Sequence, residues 1–188
     1  FCLKFFLSTK ILLKGEENII NDKKFFIASS HKSMFETFYL QTIFNSPVFI
    51  LKKELLQIPI FGWYLKKIGS ISIKRDKITK KNLSFFEDIS KIISSSKRPL
   101  IIFHQASRLL PDERPPFKKG AARIYEDLNI PCKPIAINSG YVWTKKGVKK
   151  NNKTIIISIL KPIAAGLSKE EFIKVLENNI YTELDKIN

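Results

Sequence analysis

Short, wholly apolar runs set at intervals along the chain constrain its fold more than any other feature. Phe25-Phe26-Ile27-Ala28, Pro47-Val48-Phe49-Ile50-Leu51 and Leu100-Ile101-Ile102-Phe103 have the length and content of buried strands. Residues 132–137 and 154–160 read the same way, as does 11–13 near the start. Gly69-Ser-Ile-Ser-Ile-Lys-Arg75 alternates over Ile71 and Ile73 and reads as a strand ending in a basic pair. Helix-length segments lie between: residues 33–44, 78–96, 120–128 and 168–186. In the second of these, Leu83, Phe86, Ile89, Ile92 and Ile93 fall near one face. Strands alternating with helices predict an α/β sandwich with a largely parallel sheet flanked by helices. A chain of 188 residues can build one sizeable core, so residues 1–188 read as a single domain.

Two helix starts are marked by S-x-x-E capping boxes, Ser33 to Glu36 and Ser168 to Glu171. Pro59 breaks any single helix over residues 52–68. That stretch has two readings. Ile58, Ile60, Phe61, Trp63, Tyr64 and Leu65 followed by Lys66 and Lys67 suit a membrane interface, where amphipathic aromatics meet basic residues. They equally suit a core helix with a solvated lysine pair. Residues 1–13 are apolar with two lysines and read as the tail of an interfacial helix running into the first strand. The chain begins at Phe1, and an N-terminal membrane-associating segment is expected to be incomplete.

The formal net charge is +16 at pH 7, and 44% of residues are hydrophobic. The chain is therefore globular, and it calls for an anionic partner. No nucleic-acid-binding signature is present, which turns the expectation to an anionic membrane surface or a phosphorylated substrate. Cys2 and Cys132 are far apart, and with His31 and His104 they make no metal spacing. The chain reads as a reduced, cytosol-facing protein without a metal or cofactor.

Three polar stretches each follow a predicted buried strand: His31 to Glu36, Lys74-Arg75, and His104 to Arg108. Ligands of open α/β sheets gather at the carboxyl ends of strands. Glu36 in a first helical turn leans back toward His31, and arginine forks bind phosphate. There is no G-x-G-x-x-G loop and no G-x-S-x-G nucleophile elbow, so catalysis here falls to a general base.

These motifs, in this order, resemble those of the glycerolipid acyltransferase family typified by 1-acylglycerol-3-phosphate acyltransferases. The first is His31-Lys-Ser-Met-Phe-Glu36, the family's His and acidic residue separated by four. The second is Gly69 to Arg75. The third, Phe103-His-Gln-Ala-Ser-Arg108, stands where the family has Phe-Pro-Glu-Gly-Thr-Arg. The fourth is Pro134-Ile-Ala-Ile-Asn-Ser-Gly140. Leu51 to Trp63 and Phe117 to Arg123 are also similar, so the resemblance runs from about Gly15 to Trp143.

The resemblance implies acyl transfer from an acyl-thioester, on CoA or acyl-carrier protein, to the free hydroxyl of lysophosphatidic acid. His31 is then the base and Glu36 its partner, with Arg75, Gln105, Ser107 and Arg108 binding substrate. It implies work at the cytoplasmic face of the cell membrane. Within the class, the alternative is another lyso-lipid acceptor such as a lyso-ornithine lipid. From another class, the rival is a catalytically silent, basic membrane-binding module.

Overall fold

The computed structural model describes residues 9–19, 24–73, 89–91, 93, 95, 98–105, 108–144, 147–148 and 153–188, with Ile73 and Val148 described by their main chain alone. In chain order the elements are β1 (Ile11–Lys14), β2 (Phe26–Ser29), α1 (Phe35–Ile43), β3 (Val48–Lys52), α2 (Phe61–Lys67) and β4 (Ile71–Ile73). They continue with β5 (Leu100–Phe103), α3 (Gly120–Leu128), β6 (Cys132–Ile137), β7 (Trp143–Thr144), β8 (Gly147–Val148), β9 (Ile155–Ile159) and α4 (Lys169–Ile187). Residues 89–91, 93 and 95 are also helical. The remainder of the helix predicted over 78–96 lies outside the described residues, as do residues 1–8 of the predicted interfacial helix.

Seven of these strands form one sheet in the order β1-β9-β6-β2-β5-β3-β4. The run β6-β2-β5-β3-β4 is parallel throughout. β9 turns antiparallel against β6 and carries β1 parallel to itself. The short β7–β8 hairpin stands apart. The architecture is the mixed, mostly parallel α/β sandwich expected from the spacing of the apolar runs.

Continuous apolar strands are needed because helices cover both faces of the sheet. Along β2, Phe26 and Ala28 enter one core while Ile27 enters the other. β5 divides in the same way, with Leu100 and Ile102 on one side and Ile101 on the other. The first core is closed by α3 and α4, the second by Phe35 and Leu40 of α1. α4 presents Phe172, Leu176, Ile180, Leu184 and Ile187, one residue per turn. Its capping box forms as expected: Ser168 Oγ accepts from the Glu171 amide at 3.2 Å, and Glu171 Oε2 accepts from the Ser168 amide at 3.1 Å.

The first capping box behaves differently. α1 begins at Phe35, and its N-cap, Met34, makes no side-chain cap bond. Half of the box forms: Glu36 accepts from the Ser33 amide, and from that of Lys32 as well, but Ser33 Oγ accepts from the Phe35 amide in place of the Glu36 amide. Residues 32–34 therefore wrap a carboxylate instead of starting a helix. Pro59 does divide 52–68, into a 3-10 turn over Lys53–Gln57 and α2.

Phe172 is fully buried, stacked on Tyr125 at 3.9 Å and tilted against Phe26 at 6.1 Å. Truncating it removes the ring that joins α4 to α3 and the sheet. Phe172→Ala should cost about 3–5 kcal/mol, read from urea unfolding. A loss below about 1 kcal/mol would show that α4 contributes little to the core.

Candidate active site

Three neighbouring parallel strands deliver the site. His31 lies two residues beyond the end of β2, Gln105 two beyond β5 and Ser139 two beyond β6. The registers Ser29↔Phe103 and Ser29↔Ile135 hold these strand ends side by side. The ladder is extended past β2 by a side chain: Ser30 Oγ accepts from the Ile137 amide at 2.8 Å.

Glu36 is the centre of the arrangement and has no solvent exposure. Its Oε1 accepts from the Lys32 amide at 3.0 Å and from Ser139 Oγ at 2.5 Å. Its Oε2 accepts from the Ser33 amide at 3.0 Å, and the Ser33 hydroxyl lies 3.1 Å from the same oxygen. The two hydroxyls also meet, at 3.0 Å. An acceptor-only carboxylate at the N-terminus of a helix is well matched by such donors.

His31 faces this carboxylate. Its Nδ1 is shielded from solvent and lies 3.7 Å from Glu36 Oε2, about 0.8 Å beyond a typical ~2.9 Å hydrogen bond. The imidazole stacks on Phe103, with centroids 4.1 Å apart and planes at 19°, and its side chain keeps 18% exposure. The main chain is tied on both sides. His31 N–H donates to Gln105 Oε1 at 3.2 Å, and His31 C=O accepts from the Leu109 amide at 3.0 Å. The ring is thus held with one nitrogen toward a buried carboxylate and the other, Nε2, on the opposite edge. That is the geometry of a base with an orienting partner.

Arg108 is half-buried and adjoins Leu109, so its main chain runs beside His31. Gln105 is buried, with its side-chain oxygen bonded to the His31 amide. Arg75 and Ser107 lie outside the described residues, as does Lys74.

A match to the Acyltransferase family spans residues 10–138, which include His31, Glu36, Gln105 and Arg108. This chain belongs to the Acyltransferase family. It is 33% identical over 149 residues to the 1-acyl-sn-glycerol-3-phosphate acyltransferase of Pseudomonas aeruginosa, an alignment covering 78% of this chain and 56% of that protein. It is 28% identical over 194 residues to the enzyme of the same name from Saccharomyces cerevisiae, covering 98% of this chain and 63% of that one. The chain spans about three-fifths of the length of these two curated relatives. Its fold matches the crystal structure of the 1-acyl-sn-glycerophosphate acyltransferase of Thermotoga maritima with a TM-score of 0.79, at 20% identity over 98% of this chain and 75% of that one.

Within this family frame, sequence reasoning assigned no role to three residues near the candidate site. Ser139 sat inside the fourth motif, read only as an apolar strand; its signal was a polar residue just past a buried strand, as with His31 and Gln105. Lys32 stood inside the first motif without a role. It is 2% exposed, and its Nζ donates to the carbonyls of Leu110 (2.9 Å), Pro111 (3.2 Å) and Glu113 (3.3 Å). Burial pushes this lysine down to about 8; Arg114 acts the same way, while Glu113, Asp112 and Glu36 oppose. It binds the loop after Arg108 to the His31 corner.

His104 is the third. It is fully buried and stacked on Phe117 at 3.7 Å. Burial first, then the charges of Lys32 and His31, push it down to about 3. Unfolded, it titrates near 6.5. The unfolded chain therefore binds the extra proton between about pH 6.5 and 3, and the stability linked to neutral His104 is present above that window and lost as pH falls through it. His104→Phe keeps the stack and removes the proton. Between pH 6 and 4 the wild type should lose about 1.4 kcal/mol per pH unit more than this variant, measured by urea unfolding. Parallel slopes would mean that His104 is not held neutral.

Proposed function

We propose that the chain carries an acyl group from an acyl-thioester to the free hydroxyl of 1-acylglycerol-3-phosphate, yielding phosphatidic acid. The observation that carries this reading is His31 Nδ1 facing the buried Glu36 carboxylate at a crevice of strand ends. The relatives' names supply the acceptor.

His31 Nε2 takes the proton of the acceptor hydroxyl as its oxygen attacks the thioester carbonyl. Glu36 stabilises the imidazolium that forms, its own position held by Ser139, Ser33 and the Lys32 amide. The tetrahedral intermediate collapses, the C–S bond breaks, and the leaving thiolate recovers the proton from His31. The new ester and a free thiol are the products, and no group on the protein is acylated. Gln105 acts through His31, whose amide it holds. Arg108 and Arg75 bind the acceptor phosphate, and Ser107 is a further substrate-binding residue. The thioester is carried by CoA or acyl-carrier protein. The work takes place at the cytoplasmic face of the cell membrane, a placement supported by the +16 charge.

A positioned general base contributes roughly 10²–10⁴-fold. His31→Ala should lose that much of kcat and remain folded. Glu36→Gln, which keeps two oxygen-accepting contacts at most, should fall less. Thiol release dependent on lysophosphatidate is the readout; wild-type turnover in His31→Ala would end the general-base assignment, and no turnover in the wild type would leave a silent basic module as the better account.

The arginines should separate acceptor from donor. Charged hydrogen bonds contribute ~1.5–3 kcal/mol, so losing one fork should raise the acceptor KM roughly 10- to 150-fold. Lys74 neighbours Arg75, and strand alternation would set it on the opposite face, so it should matter less. The kinetics of Arg75→Ala, Arg108→Ala and Lys74→Ala, with each substrate varied in turn, check this. Indifference of all three to the phosphate would favour a non-phosphorylated acceptor such as a lyso-ornithine lipid.

A further inference from the structure

The backbone at Pro59-Ile60-Phe61 is unusual. Ile60 has φ 63° and ψ −55°, and the Phe61 amide donates to the Pro59 carbonyl at 2.6 Å. This is a γ-turn of the rare positive-φ form, which is strained, and more so for a β-branched residue. The turn is tightly closed. The Gly62 amide donates to Ile58 C=O at 2.7 Å, and a Cβ on Gly62 would meet the Leu56 carbonyl oxygen at 2.2 Å. The strain buries nothing, because Ile60 is 84% exposed.

Around this tip the surface is apolar and basic. Trp63 is 65% exposed, and Ile58 and Phe38 are exposed as well. Phe38 packs its ring edge on Phe61 at 6.2 Å and tilts against Tyr64 at 6.1 Å, which joins α1 to α2. Lys67 Nζ lies 4.9 Å over the Trp63 ring. Lys52, Lys53, Lys66 and Lys67 are all exposed, and Glu54 is the one carboxylate in residues 52–67.

We propose that this surface docks on an anionic bilayer, with Ile60 inserted below the headgroups and Trp63 at their level. Lysine is depleted from protein–protein interfaces. Aromatics flanked by lysines whose stems lie along apolar surface are the pattern of a lipid interface. A fixed, strained turn that displays one isoleucine is useful where the tip enters another phase. The surface and the chemistry share α1: Phe38 lies two residues beyond Glu36, on the exposed face of the helix whose buried face holds the carboxylate, about one helix width away. Docking here brings the strand-end crevice to a lipid acceptor. For that purpose the inference rests on the transfer reading, but binding itself does not need turnover.

The test uses the full chain. The chain has two tryptophans, Trp63 and Trp143, so Trp143→Phe leaves Trp63 as the sole reporter. With phosphatidylcholine–phosphatidylglycerol vesicles, Trp63 emission should shift to the blue and be quenched by brominated acyl chains. Vesicles of phosphatidylcholine alone should bind more weakly, and salt should weaken binding to the anionic ones. Ile60→Gly carries the turn without strain, so it keeps the fold and should lower vesicle affinity about tenfold or more. Ile60→Asp should lower it further. Unquenched Trp63, or equal affinity in wild type and Ile60→Gly, overturns the proposal. So does burial of Trp63 by self-association without lipid, which assigns the surface to a second copy. Turnover of a water-soluble, short-chain lysophosphatidate is measured in parallel. Its absence in the wild type overturns the transferase reading and leaves the binding result to stand by itself.

Discussion

A carboxylate with no access to water organises this molecule. Moving an ion of that size out of water costs several kcal/mol unless donors replace its hydration. At Glu36 the replacements come from the end of β6 and the turn between β2 and α1. Lys32 and Ser33 give backbone amides, and Ser139 brings a hydroxyl from the end of β6. Each donor must be in place for the others to be worth having. The capping-box bond from the Ser33 amide is one of these, while Ser33 Oγ turns to the Phe35 amide, and α1 begins at Phe35. The same bonds keep Glu36 where His31 Nδ1 can reach it.

The stretch after β5 is fixed by what surrounds it. Leu109 bonds His31, Lys118 bonds the His104 carbonyl, and Lys32 holds three carbonyls between Leu110 and Glu113. From the other side, Arg114 pairs with Asp185 at 2.9 Å, Tyr181 bonds the Pro115 carbonyl, and Glu177 accepts the Phe117 amide at 2.9 Å. α4 therefore steadies the segment that carries Arg108. It also receives Asn138 Nδ2 at the Ile187 carbonyl, 2.7 Å away, just before Ser139. A helix remote from His31 in sequence thus braces two of the three strand ends that form the site.

Much of this was legible in residue order because its causes are local. Buried strands need apolar residues on both faces, so β2, β3, β5, β6 and β9 announced themselves within a residue of their ends. Proline breaks a helix interior, as Pro59 does between Gln57 and Phe61, and the second capping box at Ser168 formed in full. His31 and Glu36 are five residues apart across a strand-to-helix corner, close enough for spacing to pair them. The partners of that pair were not legible in the same way. Ser139 is over a hundred residues from Glu36, and only the β6–β2 pairing brings them together.

By itself the sequence determined the alternation of strand and helix and the closeness of His31 and Glu36 at a strand-to-helix corner. Those follow from hydrophobic periodicity and short-range geometry, which a linear reading contains. Only the tertiary structure decided that β1 and β9 run against the other strands, and that Lys32 is a buried tether. It also decided that Gln105 holds the His31 amide and that Ser33 Oγ serves the Phe35 amide, so only half of the first capping box forms. Each of these turns on which polar groups lose water together. That competition is settled by strand order and packing, between residues that no local pattern relates.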